Sequence, residues 1–245
     1  MNRILLLLAA VVVFGGLLAA QTSTPVVVEL FTSEGCSSCP PADALLVKLS
    51  QQNSQNGSDL ILLGEHVDYW NSLGWTDRFS SAQFSQRQSD YAKTFHLASV
   101  YTPQMVIDGR TQLVGGDATA VNRDIAAAGK DPKPVQVALQ WEGNDRLRVT
   151  VQPAKGSPAK VLLAITENGL STQVGNGENG GKTLHHAAVV RELRDLGSAD
   201  QGRFETIANV SPHKDWNLTE VRVAVLAQDQ ASGAILGAAE IPWQH

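Results

Sequence analysis

Basic residues and cysteine are scarce in this chain of 245 residues. It carries 19 Lys and Arg against 24 Asp and Glu, a formal net charge of -5, and no stretch is rich in Lys or Arg. The chain therefore lacks the electrostatic footprint that nucleic acids and anionic lipid headgroups require, and neither is an expected partner. Its 43% hydrophobic and 18% charged residues are typical of a soluble globular protein and exclude a disordered or fibrous one.

Long apolar runs are absent beyond the first 20 residues. Arg3 is followed by an unbroken run of apolar and small residues that ends at Ala20. A basic start, an apolar run and a small residue at its end predict a secretory signal peptide over residues 1–20. The alternative is an uncleaved membrane anchor, which would be the only contact with a membrane. Both interpretations place the remaining chain in an exported, oxidising compartment, where disulfides persist.

The rest of the chain divides into two halves of different pattern. Residues 25–130 alternate buried strands with amphipathic helices, in an α/β order that includes a helical insert at about 66–95. Residues 131–134 read Asp-Pro-Lys-Pro, which predicts a rigid linker and a domain boundary. Residues 135–245 contain short alternating strands separated by Gly, Asn and Pro, a pattern typical of an antiparallel sandwich.

The two cysteines lie between the first predicted strand and the first predicted helix, in the string SEGCSSCPP over residues 33–41. Unpaired N–H groups and the helix dipole at a helix N-terminus stabilise a thiolate, which makes Cys36 a nucleophile near neutral pH. Cys39 can then attack a mixed disulfide formed at Cys36 and release the partner. The placement predicts a redox pair in which Cys36 attacks and Cys39 resolves.

Residues 25–129 resemble the thioredoxin superfamily in three features. One is the order of strand, CxxC and helix. Another is Thr102-Pro103 before a predicted strand, which resembles the cis-proline segment that faces the disulfide in that superfamily. The last is Glu29, which falls where thioredoxins place a buried acid under the second cysteine. The resemblance implies that Pro103 is cis, that Thr102 and Pro103 bind the partner, and that Glu29 accepts a proton as Cys39 attacks.

Three strings are similar to a family of secreted bacterial proteins known as domain of unknown function 1223. They are ELFTSEGCSSCPPAD at residues 29–43, HVDYW at 66–70 and GEN at 177–179. The family is associated with a thioredoxin-like fold and has no established substrate. The expected fold class is therefore an α/β thioredoxin-like domain followed by an all-β antiparallel sandwich-like domain. The expected location is the bacterial periplasm or the outside of the cell.

His66 and Trp70 follow the second predicted strand, whose end lies at the same edge of the sheet as the CxxC loop. Function at that edge is typical of open α/β sheets. We expect His66 and Trp70 to line a substrate groove beside Cys36, together with Thr102 and Pro103. The alternative is that His66 caps its strand and Trp70 fills the core.

Other interpretations of the cysteine pair remain open. A structural disulfide is one, although the loop that this pair closes is too short to contribute much stability. Binding of Cu(I) or Zn(II) by the two thiolates is another, although zinc usually takes four ligands. Residues 175–180 match the GxGxxG pattern of dinucleotide sites, but the preceding segment is too polar for a central strand, and they are interpreted as a mobile glycine-rich loop.

The function expected from these observations is thiol–disulfide exchange without any metal or other cofactor. Because the chain has no third cysteine, turnover would depend on a protein or small-molecule thiol or disulfide as the partner. The alternative function is a non-catalytic module that binds Cu(I) or a protein.

Overall fold

The computed structural model describes residues 25–56, 60–153, 158–200 and 202–244. The predicted signal peptide, residues 1–20, lies outside the described residues. The helices are α1 Pro40–Asn56, α2 Ala82–Thr94 and α3 Ala118–Ala128, with 3-10 turns at Asn71–Leu73 and Leu218–Glu220. The strands are β1 Val26–Thr32, β2 Leu60–His66, β3 Gln104–Ile107, β4 Thr111–Val114, β5 Val135–Trp141, β6 Arg146–Pro153, β7 Ala159–Glu167, β8 Leu170–Gln173, β9 Thr183–His186, β10 Val189–Ala199, β11 Phe204–Asn209, β12 Val221–Gln228 and β13 Ile235–Pro242.

Local signals explain several of these boundaries. The Ser81 side chain accepts a hydrogen bond from the Gln83 amide and caps the start of α2. The Asp117 side chain caps the start of α3 in the same way, through a 3.0 Å bond from the Ala120 amide. The turn between β3 and β4 contains Gly109 with a positive φ of 61°, which glycine tolerates without strain.

Most of the described chain belongs to one mixed sheet of eight strands, in the order β13-β12-β7-β10-β2-β1-β3-β4. Strand β1 is parallel to β2, and β10 is also parallel to β2, whereas the other neighbours are antiparallel. The prediction of an α/β thioredoxin-like domain followed by a separate sandwich is therefore wrong. The fold is mostly β, and strands from both halves share one sheet.

The joint between the halves lies where β10 meets β2. The Gly64 amide donates a 2.7 Å hydrogen bond to the Ala188 carbonyl oxygen, and Val189 pairs with Gly64. A Cβ atom at Gly64 would come within 3.1 Å of the Ala187 carbonyl oxygen, so a side chain here would crowd the joint. Residues 131–134 connect α3 to β5, but the sheet continues past them, so the predicted domain limits are not limits of separate sheets.

The remaining strands form two smaller sheets, with orders β11-β6-β5 and β8-β9. The three-stranded sheet packs on β7 and β12 through an apolar core that includes Leu147, Val149, Leu163 and Val223. A second layer is therefore present in the C-terminal half, but it covers part of the common sheet. No helix in the described part of the chain is both long and apolar enough to cross a membrane.

Side chains alternate between the two faces of β1 and β2. Val28 and Leu30 of β1 pack with α1, whereas Val27 packs with Phe84 of α2. Parallel pairing sets Thr32 beside His66 on the α1 face. The predicted insert at about 66–95 contains a 3-10 turn and α2, and it covers the opposite face of these strands.

Candidate functional site

Cys36 and Cys39 form a disulfide in the loop between β1 and α1, with their Cα atoms 5.4 Å apart. The Cys36 carbonyl oxygen accepts a 3.2 Å hydrogen bond from the Cys39 amide. The Cys39 carbonyl oxygen accepts bonds from the amides of Ala42 and Asp43, which are the first bonds of the helix. The predicted placement of the pair at a helix N-terminus is therefore confirmed, with Pro40 at a position where a missing N–H costs nothing.

One predicted partner-binding residue, Thr102, contacts the disulfide, and a second, Trp70, contacts Thr102. The Thr102 hydroxyl lies 3.3 Å from the Cys36 Sγ and is placed to donate to it. The Trp70 indole N–H donates a 2.9 Å bond to the same hydroxyl oxygen, which fixes its position. The Thr102–Pro103 peptide bond is cis, as the resemblance to the thioredoxin superfamily implies. The structure thus brings Trp70, Thr102 and Pro103 to the cysteine pair.

A loop from the C-terminal half closes over the CxxC segment. The Asn179 side-chain amide donates 2.9 Å hydrogen bonds to the carbonyl oxygens of both Glu34 and Cys36. A Glu178 carboxylate oxygen accepts a 3.1 Å bond from the Ser37 amide, and the hydrogen bonds from Ser37 lower the pKa of Glu178. The glycine-rich segment at 175–180, interpreted from sequence as a mobile loop, is therefore part of the site.

Both cysteines are closed off from solvent. Cys36 and Cys39 have 0% of their surface exposed, although Ser37 and Ser38 between them are exposed. A partner cannot reach either sulfur until a covering contact opens.

Five titratable side chains form a buried group around the start of α1, here called the histidine–acid cluster. Its members are Glu34, Asp43, His66, Asp77 and His186, all of them buried. They come from the β1–α1 loop, α1, the end of β2, the segment before α2 and the end of β9. His66 therefore lies in this cluster and not in an open groove.

One half of the histidine–acid cluster is tightly hydrogen-bonded. The His66 Nδ1 lies 2.6 Å from the Asp77 Oδ2, which also accepts a 2.9 Å bond from the Glu34 amide. Burial alone would lower the pKa of His66, but the carboxylates of Asp77, Asp43 and Glu34 together outweigh burial and the pKa is raised. Burial alone would raise the pKa of Asp77, but the His66 charge and hydrogen bond bring it below its usual value.

The other half of the cluster is poorly satisfied. The His186 Nε2 lies 3.3 Å from the Glu34 Oε1, within ion-pair distance but without the alignment of a hydrogen bond. The His186 Nδ1 and the Asp43 Oδ2 likewise have no hydrogen-bond partner. The His186 ring lies 4.8 Å from that of His66, centroid to centroid. Unpaired buried polar atoms are costly, so a cluster of them indicates a constraint other than stability.

The pKa values of the two acids on this side, Glu34 and Asp43, are shifted in opposite directions. Burial alone would raise the pKa of Glu34, but the interaction with His186 and the bond from the Trp75 indole bring it below its usual value. Burial raises the pKa of Asp43, and the nearby His186 and His66 offset only part of this rise.

In the described residues, no three His, Cys, Asp or Glu side chains converge where a metal ion could bind.

Comparison with known proteins identifies the family. Residues 27–228 match the family described as "Protein of unknown function (DUF1223)". The chain belongs to the DUF1223 family. A crystal structure of an Agrobacterium tumefaciens protein, solved in a structural genomics programme, is 30% identical with a TM-score of 0.75. The match covers 92% of this chain and 97% of that one.

More distant structures give no further information about the fold or function of this DUF1223 protein. A domain of the outer membrane lipoprotein Omp28 from Porphyromonas gingivalis is 10% identical, with a TM-score of 0.25, over 45% of this chain and 90% of that one. This score is too low to support an argument about fold or function. No curated protein matches the chain significantly.

The structure does not bring Glu29 to the disulfide of this DUF1223 protein. Glu29 points to the α2 face of β1, where it accepts a 2.6 Å bond from Arg87 and a 2.5 Å bond from the Tyr91 hydroxyl. The disulfide is attached to α1, which packs on the opposite face. The role implied for Glu29 in the resolution by Cys39 is therefore corrected, because the side-chain alternation of β1 directs it away.

Sequence reasoning also missed Asp43, His186 and Asn179. A signal for Asp43 exists, because it follows Cys39 by four residues, one turn along the helix. Asn179 belongs to the GEN string used for the family resemblance, but that string gives no indication of a contact with Cys36. His186 has no local signal, since only the tertiary structure brings the end of β9 to α1.

Proposed function

We propose that this DUF1223 protein is a thiol–disulfide oxidoreductase of an exported, oxidising bacterial compartment, with Cys36 and Cys39 as its redox centre. The observation that carries the proposal is the position of the Cys36 sulfur. It lies just before the start of α1, 3.3 Å from the Thr102 hydroxyl. The helix dipole and this hydroxyl both favour a thiolate at Cys36. The local order of strand, CxxC and helix, with Thr102-Pro103 alongside, is shared with thioredoxins and supports the same chemistry.

In the proposed reaction a partner thiolate attacks the Cys36 Sγ, and the bond to Cys39 breaks. The partner is then joined to Cys36 as a mixed disulfide, and Cys39 is a free thiolate. Attack by a second partner thiol releases the oxidised partner, so that two electrons pass from the partner to this protein. In the reverse sequence the Cys36 thiolate attacks the disulfide of an oxidised partner, Cys39 then attacks the mixed disulfide, and the partner leaves with its two thiols reduced.

The closed surface over the sulfurs constrains the partner. Contacts of Asn179 with the Cys36 carbonyl and of Glu178 with the Ser37 amide hold the C-terminal loop in place. Because neither sulfur is exposed, exchange with a protein or small-molecule thiol therefore requires a covering contact, such as this loop, to open. Export is supported by the apolar segment of residues 4–20 and by a disulfide that a reducing compartment would open.

The test uses two single substitutions and a double one. We expect Cys36→Ser to abolish reduction of a model peptide disulfide in the presence of dithiothreitol, because the attacking sulfur is lost. We expect Cys39→Ser to accumulate a mixed disulfide at Cys36, detected by mass spectrometry, with Cys36→Ser/Cys39→Ser as the control for non-specific trapping. Turnover at the wild-type rate in both single variants would contradict the mechanism.

A second candidate function is a non-catalytic module that binds a protein or Cu(I). It is favoured by the 0% exposure of both cysteines, which suits a disulfide that never exchanges. If it is right, the wild-type protein will not equilibrate with dithiols. If the module binds Cu(I) rather than a protein, the chemically reduced chain will bind one equivalent of Cu(I).

A further inference from the structure

The carboxyl group of Asp43 lies one helical turn beyond Cys39. The Asp43 amide donates a 3.1 Å bond to the Cys39 carbonyl oxygen, which establishes the helical i to i+4 relation between them. Side chains in that relation share one face of the helix, and each leans toward the N-terminal turn. The Asp43 side chain is therefore directed toward the turn that carries Cys39.

Asp43 retains one carboxylate oxygen without a partner. Its Oδ1 accepts a 2.8 Å bond from the Thr32 hydroxyl, whereas its Oδ2 has none, and the residue is 5% exposed. The charged groups that act on Asp43 are His66 from β2, His186 from β9 and Asp77 from the segment before α2. No lysine or arginine is among them, so no fixed cation holds this carboxyl ionised.

We propose that Asp43 exchanges a proton with the Cys39 thiol during opening and closing of the disulfide, and that His66 and His186 adjust how tightly it holds that proton. The proposal rests on the proposed function. When a partner thiolate opens the disulfide, the Cys39 thiolate takes the proton from the neutral Asp43 carboxyl. When Cys39 attacks the mixed disulfide, the Asp43 carboxylate takes the Cys39 proton, the bond from Cys36 to the partner breaks, and the partner leaves as a thiolate.

The raised pKa of Asp43 agrees with this role, since burial brings the pKa of the carboxyl closer to that of a thiol and so favours proton transfer in both directions. His186 adds a consequence for the whole chain. It belongs to the C-terminal half, and its ring borders both Glu34 and His66. The C-terminal half therefore contributes to the proton chemistry of a disulfide that lies in the N-terminal half.

The first experiment measures the resolving step alone. A mixed disulfide is prepared at Cys36 with a chromogenic thiol, and release of that thiol by Cys39 is followed at pH 7. We expect Asp43→Asn to slow release about 100-fold, the range for loss of a general base, and Asp43→Glu to restore part of the rate. The matched control is Glu240→Gln, which removes a half-buried carboxyl whose pKa is also raised, to about 7, but on β13.

A second experiment does not depend on any exchange activity. In the Cys36→Ser chain the thiolate of Cys39 is titrated by its ultraviolet absorbance, with and without Asp43→Asn. We expect Asp43→Asn to lower the midpoint by about one pH unit, because a neighbouring carboxylate opposes a thiolate. If Asp43→Asn does not fold, the Asp43 carboxyl is titrated by NMR in the wild-type protein, and its midpoint must differ between the oxidised and reduced forms.

The two experiments separate the possible failures. Absence of exchange together with a shifted Cys39 midpoint would refute the oxidoreductase function but keep the coupling between Asp43 and Cys39. Release within twofold of the wild-type rate, or identical Cys39 midpoints in the two chains, would overturn the role of Asp43.

Discussion

The two faces of β1 and β2 each bury a group of acids, and the two groups are neutralised differently. On the α2 face, Glu29 and Glu65 share Arg87, whose Nε lies 2.6 Å and 3.4 Å from their carboxylates. On the α1 face, the histidine–acid cluster contains three acids and two histidines but no arginine or lysine. An arginine is always charged, whereas a histidine changes charge near neutral pH.

The consequence is a division of roles between the faces. Burial and the neighbouring Glu29 raise the pKa of Glu65 well above its usual value, and Arg87 offsets only part of this rise. Arg87 also donates to the Gln228 side chain, which ties α2 to β12 of the C-terminal half. The α2 face thus contains a fixed cation, whereas the α1 face, beside the disulfide, contains the acid for which we propose proton exchange.

The largest effect is expected on the α2 face. Arg87→Leu leaves Glu29 buried without its cation, so we expect a loss of about 3–5 kcal/mol in the free energy of unfolding at pH 7. Denaturant unfolding measures this loss. The control Arg123→Leu removes an exposed arginine paired with Asp124 and is expected to leave the free energy of unfolding nearly unchanged. A cost below about 1 kcal/mol for Arg87→Leu would mean that the arginine is not the stabilising element.

A smaller, pH-dependent effect is expected on the α1 face. Asp77 contributes stability above the ordinary carboxyl pKa that is lost as pH falls, and His66 contributes stability below the ordinary histidine pKa that is lost as pH rises through its raised value. We therefore expect Asp77→Asn to cost about 2 kcal/mol at pH 5.5, where both groups are charged, and less at pH 9.

Urea unfolding across this pH range checks the prediction. Asp90→Asn is the control, because Asp90 pairs with Lys93 at an exposed site. A cost for Asp77→Asn that stays constant from pH 5.5 to 9 would indicate that His66 does not titrate with this carboxylate.

The smallest effect on stability is expected where the two halves meet over the disulfide. Asn179→Ala removes two hydrogen bonds to the carbonyl oxygens of Glu34 and Cys36, at a cost of about 1–2 kcal/mol. Because these bonds hold the covering loop, we expect reduction of the disulfide by dithiothreitol to become about tenfold faster, the equivalent of about 1.4 kcal/mol. An unchanged rate would show that the loop does not limit access to Cys36.

Local features of this protein were predictable from sequence. In the string SEGCSSCPP, a polar loop ends the apolar segment of β1, and the prolines mark the start of α1. The cysteines are therefore placed directly before a helix. Asp117 caps α3, and the turn at Gly109 joins β3 to β4, for equally local reasons. Each of these depends on a few neighbouring residues.

The sheet topology and most of the site depend on distant residues. The pairing of Val189 with Gly64 merges both halves into one sheet, and no local pattern specifies which strands pair. The prolines at 131–134 mark the end of a helix but not the end of the sheet. Asn179 and His186 reach the start of α1 only because that sheet brings the C-terminal half there. The direction of the Glu29 side chain could in principle be predicted. Side chains alternate between the two faces of β1, and Thr32 faces α1, so Glu29 faces away from α1.

The most direct test of the redox centre is the equilibrium between its disulfide and dithiol forms. The wild-type protein is equilibrated with glutathione and dithiothreitol redox buffers, and the free thiols of Cys36 and Cys39 are counted after alkylation. We predict a reversible midpoint between about -120 and -270 mV, the range of thiol–disulfide oxidoreductases. A pair that stays oxidised below about -300 mV would contradict the proposal and make this disulfide structural.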